Sequence, residues 1–71
     1  MKEIEQAVEA FQKAVDLAPE SPVAHFRLGW ALFRQNMKDK CIEHLKKALQ
    51  LQPDFVDVLI RLGDVLLREE N

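Results

Sequence analysis

Apolar residues recur along this chain at helical rather than alternating spacing. Ile4, Ala7, Val8, Phe11, Ala14, Val15 and Ala18 stand three or four apart, which predicts a helix over about 3–18. Pro19 lies just beyond, where a helix cannot continue. Ser21 followed by Pro22 reads as an N-cap with proline at the first helical position, opening a second helix to about residue 35. Residues 36–39 then form a turn. A third helix is expected over about 39–51, with Ile42, Leu45, Ala48 and Leu49 inward, and it ends before Pro53. Asp54 is the expected N-cap of a fourth helix over about 55–69. The fold class that follows is all-α, with four antiparallel helices joined by short turns.

The pattern repeats. Displaced by 34 positions, residues 1–37 lie over residues 35–71, and ten of the 37 pairs are identical. The identities are Glu9/Glu43, Lys13/Lys47, Ala14/Ala48, Leu17/Leu51, Pro19/Pro53, Arg27/Arg61, Leu28/Leu62, Gly29/Gly63, Leu32/Leu66 and Arg34/Arg68. Both glycines and two of the three prolines fall in register, so the overlay carries the chain's punctuation as well as its apolar face.

A two-helix unit of 34 residues resembles the tetratricopeptide repeat. Counting from Pro22, the complete unit covers 22–55, and His25, Leu28, Gly29, Leu32, Cys41, Leu45, Ala48 and Pro53 fill the family's signature positions. His25 stands where the family usually has Trp, and Leu32 where it usually has Tyr. The resemblance implies that Leu28, Gly29, Leu32, Cys41, Leu45 and Ala48 pack the helices of the complete repeat together, with Gly29 and Cys41 as the small residues of the close approach. Residues 1–21 then correspond to the second helix of a preceding repeat and 56–71 to the first helix of a following one. The whole chain is expected to form one helix-turn-helix solenoid domain, framed half repeat, whole repeat, half repeat. That frame suggests a fragment, an excised or engineered piece, or a fold completed by another chain. Ala7, Phe11 and Ala14 at one end and Leu59, Leu62, Gly63 and Leu66 at the other become complementary faces for self-association, head to tail or by helix exchange.

The resemblance also implies a concave binding face. Its variable inward positions are Val23, Phe26, Trp30, Phe33 and Arg34 in the complete repeat, and Asp57, Ile60, Asp64, Leu67 and Arg68 in the last helix. Independently of any family, Phe26, Trp30 and Phe33 form one stripe at i, i+4 and i+7. That stripe is either plain core or, as favoured here, an apolar groove for a partner helix or peptide, using Phe26, Trp30, Phe33, Ile60 and Leu67. Burying such side chains yields roughly 1.5–3 kcal/mol each, against an association cost of roughly 4–15 kcal/mol. Chaperone-binding members grip a terminal carboxylate with Asn, Lys and Arg at the fifth and ninth positions. Here Phe26, Trp30, Ile60 and Asp64 stand there, so a carboxylate-clamp chaperone adaptor is not expected. The alternative to a binding module is a structural unit whose exposed faces are completed by other copies.

Composition narrows the rest. Seventy-one residues form one small domain, able to bury only about 60% of its unfolded surface, and arrays of this kind need about three repeats to be stable alone. Ten basic and twelve acidic residues leave a net charge of −2, which argues against a nucleic-acid partner. No apolar run spans a membrane and no signal-peptide core opens the chain; with one cysteine, a cytoplasmic setting is expected. Cys41 and His44, three apart, have metal-ligand spacing, but a packing thiol and a surface imidazole account for them, with His25 on a different helix face. Lys38, Lys40, Lys46 and Lys47 read as a solvated face. The single serine is a cap, Thr and Tyr are absent, and no glycine-rich loop exists, so neither enzyme activity nor a cofactor is expected.

Overall fold

The computed structural model describes residues 2–69, the side chain of Glu69 apart. Four helices follow one another: α1 Lys2–Leu17, α2 Pro22–Arg34, α3 Lys38–Leu51 and α4 Val56–Glu69. There is no strand among the described residues. Each helix packs chiefly on its neighbour in sequence, most extensively α2 on α3. The result is the all-α, solenoid-like helical stack that the periodicity predicts.

The turns are set by local chemistry. Ser21 Oγ accepts the Ala24 N–H at 3.2 Å, and Pro22 supplies the pre-set first helical residue, as expected. At the other end of α2, Asn36 adopts φ 63°, in the left-handed region that asparagine tolerates. Its N–H donates to the Phe33 carbonyl and that of Met37 to the Leu32 carbonyl, each at 3.0 Å. This pair of backward bonds satisfies the last carbonyls of α2 and starts α3 at Lys38. Asp54 is not the cap position of α4. The helix opens at Val56, so Phe55 precedes it, and the Phe55 carbonyl takes the Val58 and Leu59 N–H groups at 3.1 Å.

The core is a seam along α2 and α3, closed by one residue of α1 and two of α4. Leu28, Cys41, Leu45, Ala48, Val58 and Val65 are wholly buried, with Val15, Ala24 and Leu32 beside them. Gly29 lets α3 come close: a Cβ there would lie 3.2 Å from Leu45 Cδ2 and 3.3 Å from the Cys41 carbonyl oxygen. Its repeat mate Gly63 meets nothing within 4 Å. The repeat symmetry of the sequence is therefore broken in three dimensions. Leu28 and Leu32 are buried, whereas their equivalents Leu62 and Leu66 are half-buried and exposed, since among the described residues nothing packs over α4 as α3 packs over α2. Gly63→Ala should consequently stabilise the fold by up to about 1 kcal/mol through helix propensity alone, read as a higher melting temperature.

The histidines depart from the reading of the sequence. His25 and His44 are not on unrelated faces; their Nδ1 atoms meet at 3.1 Å across the α2–α3 seam, and the rings are near-parallel at 24°. His25 is buried, and its Nε2–H donates to the Pro19 carbonyl at 2.9 Å. A carbonyl can only accept, so neutral His25 must accept at Nδ1 and His44 must donate there. The pair thus ties α3 to α2 and α2 to the α1–α2 turn. Burial pulls the His44 imidazole below its ordinary 6.5, with His25 and Lys40 pushing the same way and Glu43 opposing. The unfolded chain takes up that proton near 6.5 and the folded chain only at lower pH. Stability is therefore full above about 6.5 and lost as pH falls through that value. The melting temperature should drop between about pH 8 and about pH 5, and by less in His44→Gln. Among the described residues no three His, Cys, Asp or Glu side chains gather as a metal site.

Candidate functional site: a groove walled by Trp30

The aromatic stripe of α2 faces away from the core seam. Phe26, Trp30 and Phe33 are half-buried, while Leu28, Gly29 and Leu32 are buried against α3. A helix with 3.6 residues per turn offers two such faces when apolar residues fill both stripes. Phe26 is propped by Phe55, ring centroids 5.4 Å apart and edge to face at 61°.

Three hollows meet at Trp30. The largest, about 520 Å³, lies between α2 and α4 and is lined by Trp30, Phe33, Arg34, Arg61, Asp64 and Arg68, with Asn36 and Lys38 at the turn. A second, about 350 Å³, is lined by Phe11, Phe26, Arg27, Trp30 and Arg61. A third, about 200 Å³, lies between Trp30 and Arg34 on α2 and Glu3, Ile4 and Ala7 on α1. The hollow at Asn36–Lys40 is made by one chain segment alone.

Arginines lie over the aromatic rings. The Arg34 guanidinium sits 5.2 Å from the Trp30 ring centroid and that of Arg68 5.9 Å from the Phe33 centroid. Arg68 Nε also lies 3.5 Å from an Asp64 carboxylate oxygen. Such an exposed i, i+4 pair adds little stability but aims the guanidinium. Burial pushes the Cys41 thiol up, and the positive charge of Arg61 partly counters it. The free thiol of Cys41 is buried and stays protonated at neutral pH.

The residues singled out in the sequence separate into three environments. Leu28, Gly29, Leu32, Cys41, Leu45 and Ala48 are all buried in the α2–α3 seam. Phe26, Trp30 and Phe33 line the hollows, but Ile60 and Leu67 stand 67% and 65% exposed and line none of them. Ala7, Phe11 and Ala14 are half-buried, and Ala7 and Phe11 face the α2 stripe. On α4, Leu59 and Leu66 are exposed, Leu62 is half-buried and Gly63 is open. Reading the sequence missed Phe55, Arg61 and Lys38 at this site. The Arg27/Arg61 identity in the overlay was the available signal for one of them.

Comparison with known proteins agrees with this architecture. A family model described as tetratricopeptide repeat matches residues 22–55, and a second, described as TPR repeat, matches 1–36. The peroxisomal targeting signal receptor of Candida albicans is 31% identical over 62 residues, covering 87% of this chain and 10% of that protein. The small glutamine-rich tetratricopeptide repeat-containing protein 2 of Mycosarcoma maydis is 34% identical over 65 residues, covering 92% of this chain and 18% of that protein. The chain therefore spans under a fifth of the length of either relative. No helix among the described residues is long and apolar enough to cross a membrane. Sequence repeat, helical stack and family models together place the chain in the tetratricopeptide repeat family, whose members are generally non-enzymatic protein–protein interaction modules.

Proposed function

We propose that the chain is a protein-interaction module that seats a segment of a partner protein in the groove between α2 and α4. The observation that carries this reading is Trp30, half-buried, forming a wall of three adjoining hollows with Phe26 and Phe33 on either side. A large aromatic ring that is neither core nor fully solvated is the usual anchor of a binding surface. One relative is named as a receptor for a targeting signal, which fits a repeat that reads short segments of other proteins. The buried free thiol of Cys41 suits a reducing compartment such as the cytoplasm. A library of random twelve-residue peptides selected on the wild-type chain should enrich binders that lose most of their affinity for Trp30→Glu. Binders that hold Trp30→Glu as tightly as the wild type would sink the reading.

A second reading rests on a different observation, the apolar outer face of α4. Val56, Leu59, Ile60, Leu66 and Leu67 are all exposed, and Gly63 leaves an open socket where Gly29 receives Leu45. The repeat overlay pairs α1 with α3, so α1 of a second copy is the helix shaped to fill that socket, with Phe11 standing for Leu45 and Ala7 for Cys41. In that case the weight-average mass rises with concentration and falls back in Leu66→Glu. A mass that stays monomeric to millimolar concentration contradicts it.

A further inference from the structure

We infer that the segment taken by this groove is acidic, with an apolar residue between its carboxylates; the inference rests on the groove reading above. Half of the chain's ten basic residues line the two larger hollows, namely Arg27, Arg34, Lys38, Arg61 and Arg68. Of its twelve acidic residues only Asp64 lines them among the described residues, and it is already engaged by Arg68. A chain of net charge −2 has thus placed half of its positive charge around these two hollows, with Glu3 at the third.

The arrangement of those cations matters as much as their number. The Arg34 and Arg68 guanidinium groups lie over Trp30 and Phe33, 5.2 and 5.9 Å from the ring centroids, which keeps both cations at the rim of the aromatic surface. Arg68 shares one edge with Asp64 through Nε, and the fork of a guanidinium matches an incoming carboxylate. Beside them Trp30 and Phe33 line the larger hollow, and Phe26 and Trp30 the next, which gives an apolar side chain a surface to cover. Arginine and aromatics together could also stack bases beside phosphates. A nucleic acid carries a charge at every nucleotide and needs cations along its whole path, whereas a peptide needs only a few carboxylates beside an apolar residue, so the peptide is the better match for five cations around one aromatic cluster.

Trp30 is the sole tryptophan, so its fluorescence reads occupancy of the groove directly. The probe is an acetylated, amidated decapeptide with glutamates flanking a central Phe and Leu, which also removes any free terminal carboxylate. We expect it to shift Trp30 emission saturably, to bind about tenfold more tightly than the same peptide with Gln for Glu, and to weaken as salt rises. Arg34→Glu and Arg68→Glu, both exposed positions, should each weaken the acidic peptide about tenfold and favour a Lys counterpart. Equal affinity for the Gln peptide overturns the preference for acid while leaving the groove reading intact. Silence of Trp30 to every peptide overturns both. Tighter binding of a ten-nucleotide oligothymidylate than of the acidic peptide assigns the groove to nucleic acid and overturns the inference. The comparison of peptides on the wild-type chain needs no variant, so misfolding of either arginine variant cannot blur the outcome.

Discussion

Leu45→Ala is expected to cost about 2–5 kcal/mol of folding stability. Leu45 is wholly buried in α3, and its side chain fills the hollow left by Gly29 on α2. Truncation loses the transfer energy of the removed atoms and leaves a void at the most extensive helix contact of the molecule. A domain of this length is stable by only about 4–10 kcal/mol, so the substitution removes a large share of the total. Thermal melting followed by circular dichroism should show a transition tens of degrees lower, or none at all. Leu17→Ala is the matched control: Leu17 is 86% exposed, and its loss should stay within about 0.5 kcal/mol.

Gly29→Val is expected to destabilise by about 1–3 kcal/mol, the cost of overpacking a close-packed seam. Its Cβ alone would press at 3.2 Å on Leu45 Cδ2 and at 3.3 Å on the Cys41 carbonyl oxygen. The leucine can turn aside, but the carbonyl belongs to the α3 backbone and moves only if the helix moves. Valine recovers a few tenths of a kcal/mol over glycine in helix propensity, too little to offset that shift. The two substitutions should not be additive, because Leu45→Ala vacates part of the space that valine needs. A double-mutant cycle should show Gly29→Val costing less in the Leu45→Ala background, with a residue from Cys41 that persists. Gly63→Val provides the contrast, since it meets no atom and should lose little.

Those two glycines mark how far the sequence can be read. The 34-residue overlay put Gly29 and Gly63 in the same role, and helical periodicity located all four helices to within a residue or two. Ser21 and Pro22 announced the start of α2 because capping is local chemistry. What periodicity could not deliver was the difference between the repeats: one glycine is packed and the other open because only α2 has a helix over that face. The start of α4 lies one residue past the expected position, after Phe55 rather than Asp54, and Phe55 also packs against Phe26.

The groove was half legible. Spacing alone set Phe26, Trp30 and Phe33 on one stripe, and the structure puts all three on the walls of the hollows. Ile60 and Leu67, assigned to the same apolar surface by repeat position, are exposed on α4 and line none of these hollows. The charged lining was not foreseen as a set. Arg34 and Arg68 hold the same inward position in the repeat, but their guanidinium groups lie over rings only because long flexible side chains fold back onto them. Arg61 and Lys38 reach the same space from α4 and from the first residue of α3, a convergence that no spacing rule contains. The His25–His44 contact escaped for the same reason, since it joins residues 19 apart on two helices.

The central claim is that the face of α2 bearing Phe26, Trp30 and Phe33, together with the facing side of α4, is where a partner sits. Amide chemical-shift mapping with a library-selected peptide tests it most directly. The account predicts that the largest shifts fall on residues 26–34 and 61–68 and vanish in Trp30→Glu. Shifts concentrated instead on the outer face of α3, around Glu43, Lys46, Lys47 and Gln50, with the residues of the groove unmoved, would contradict it.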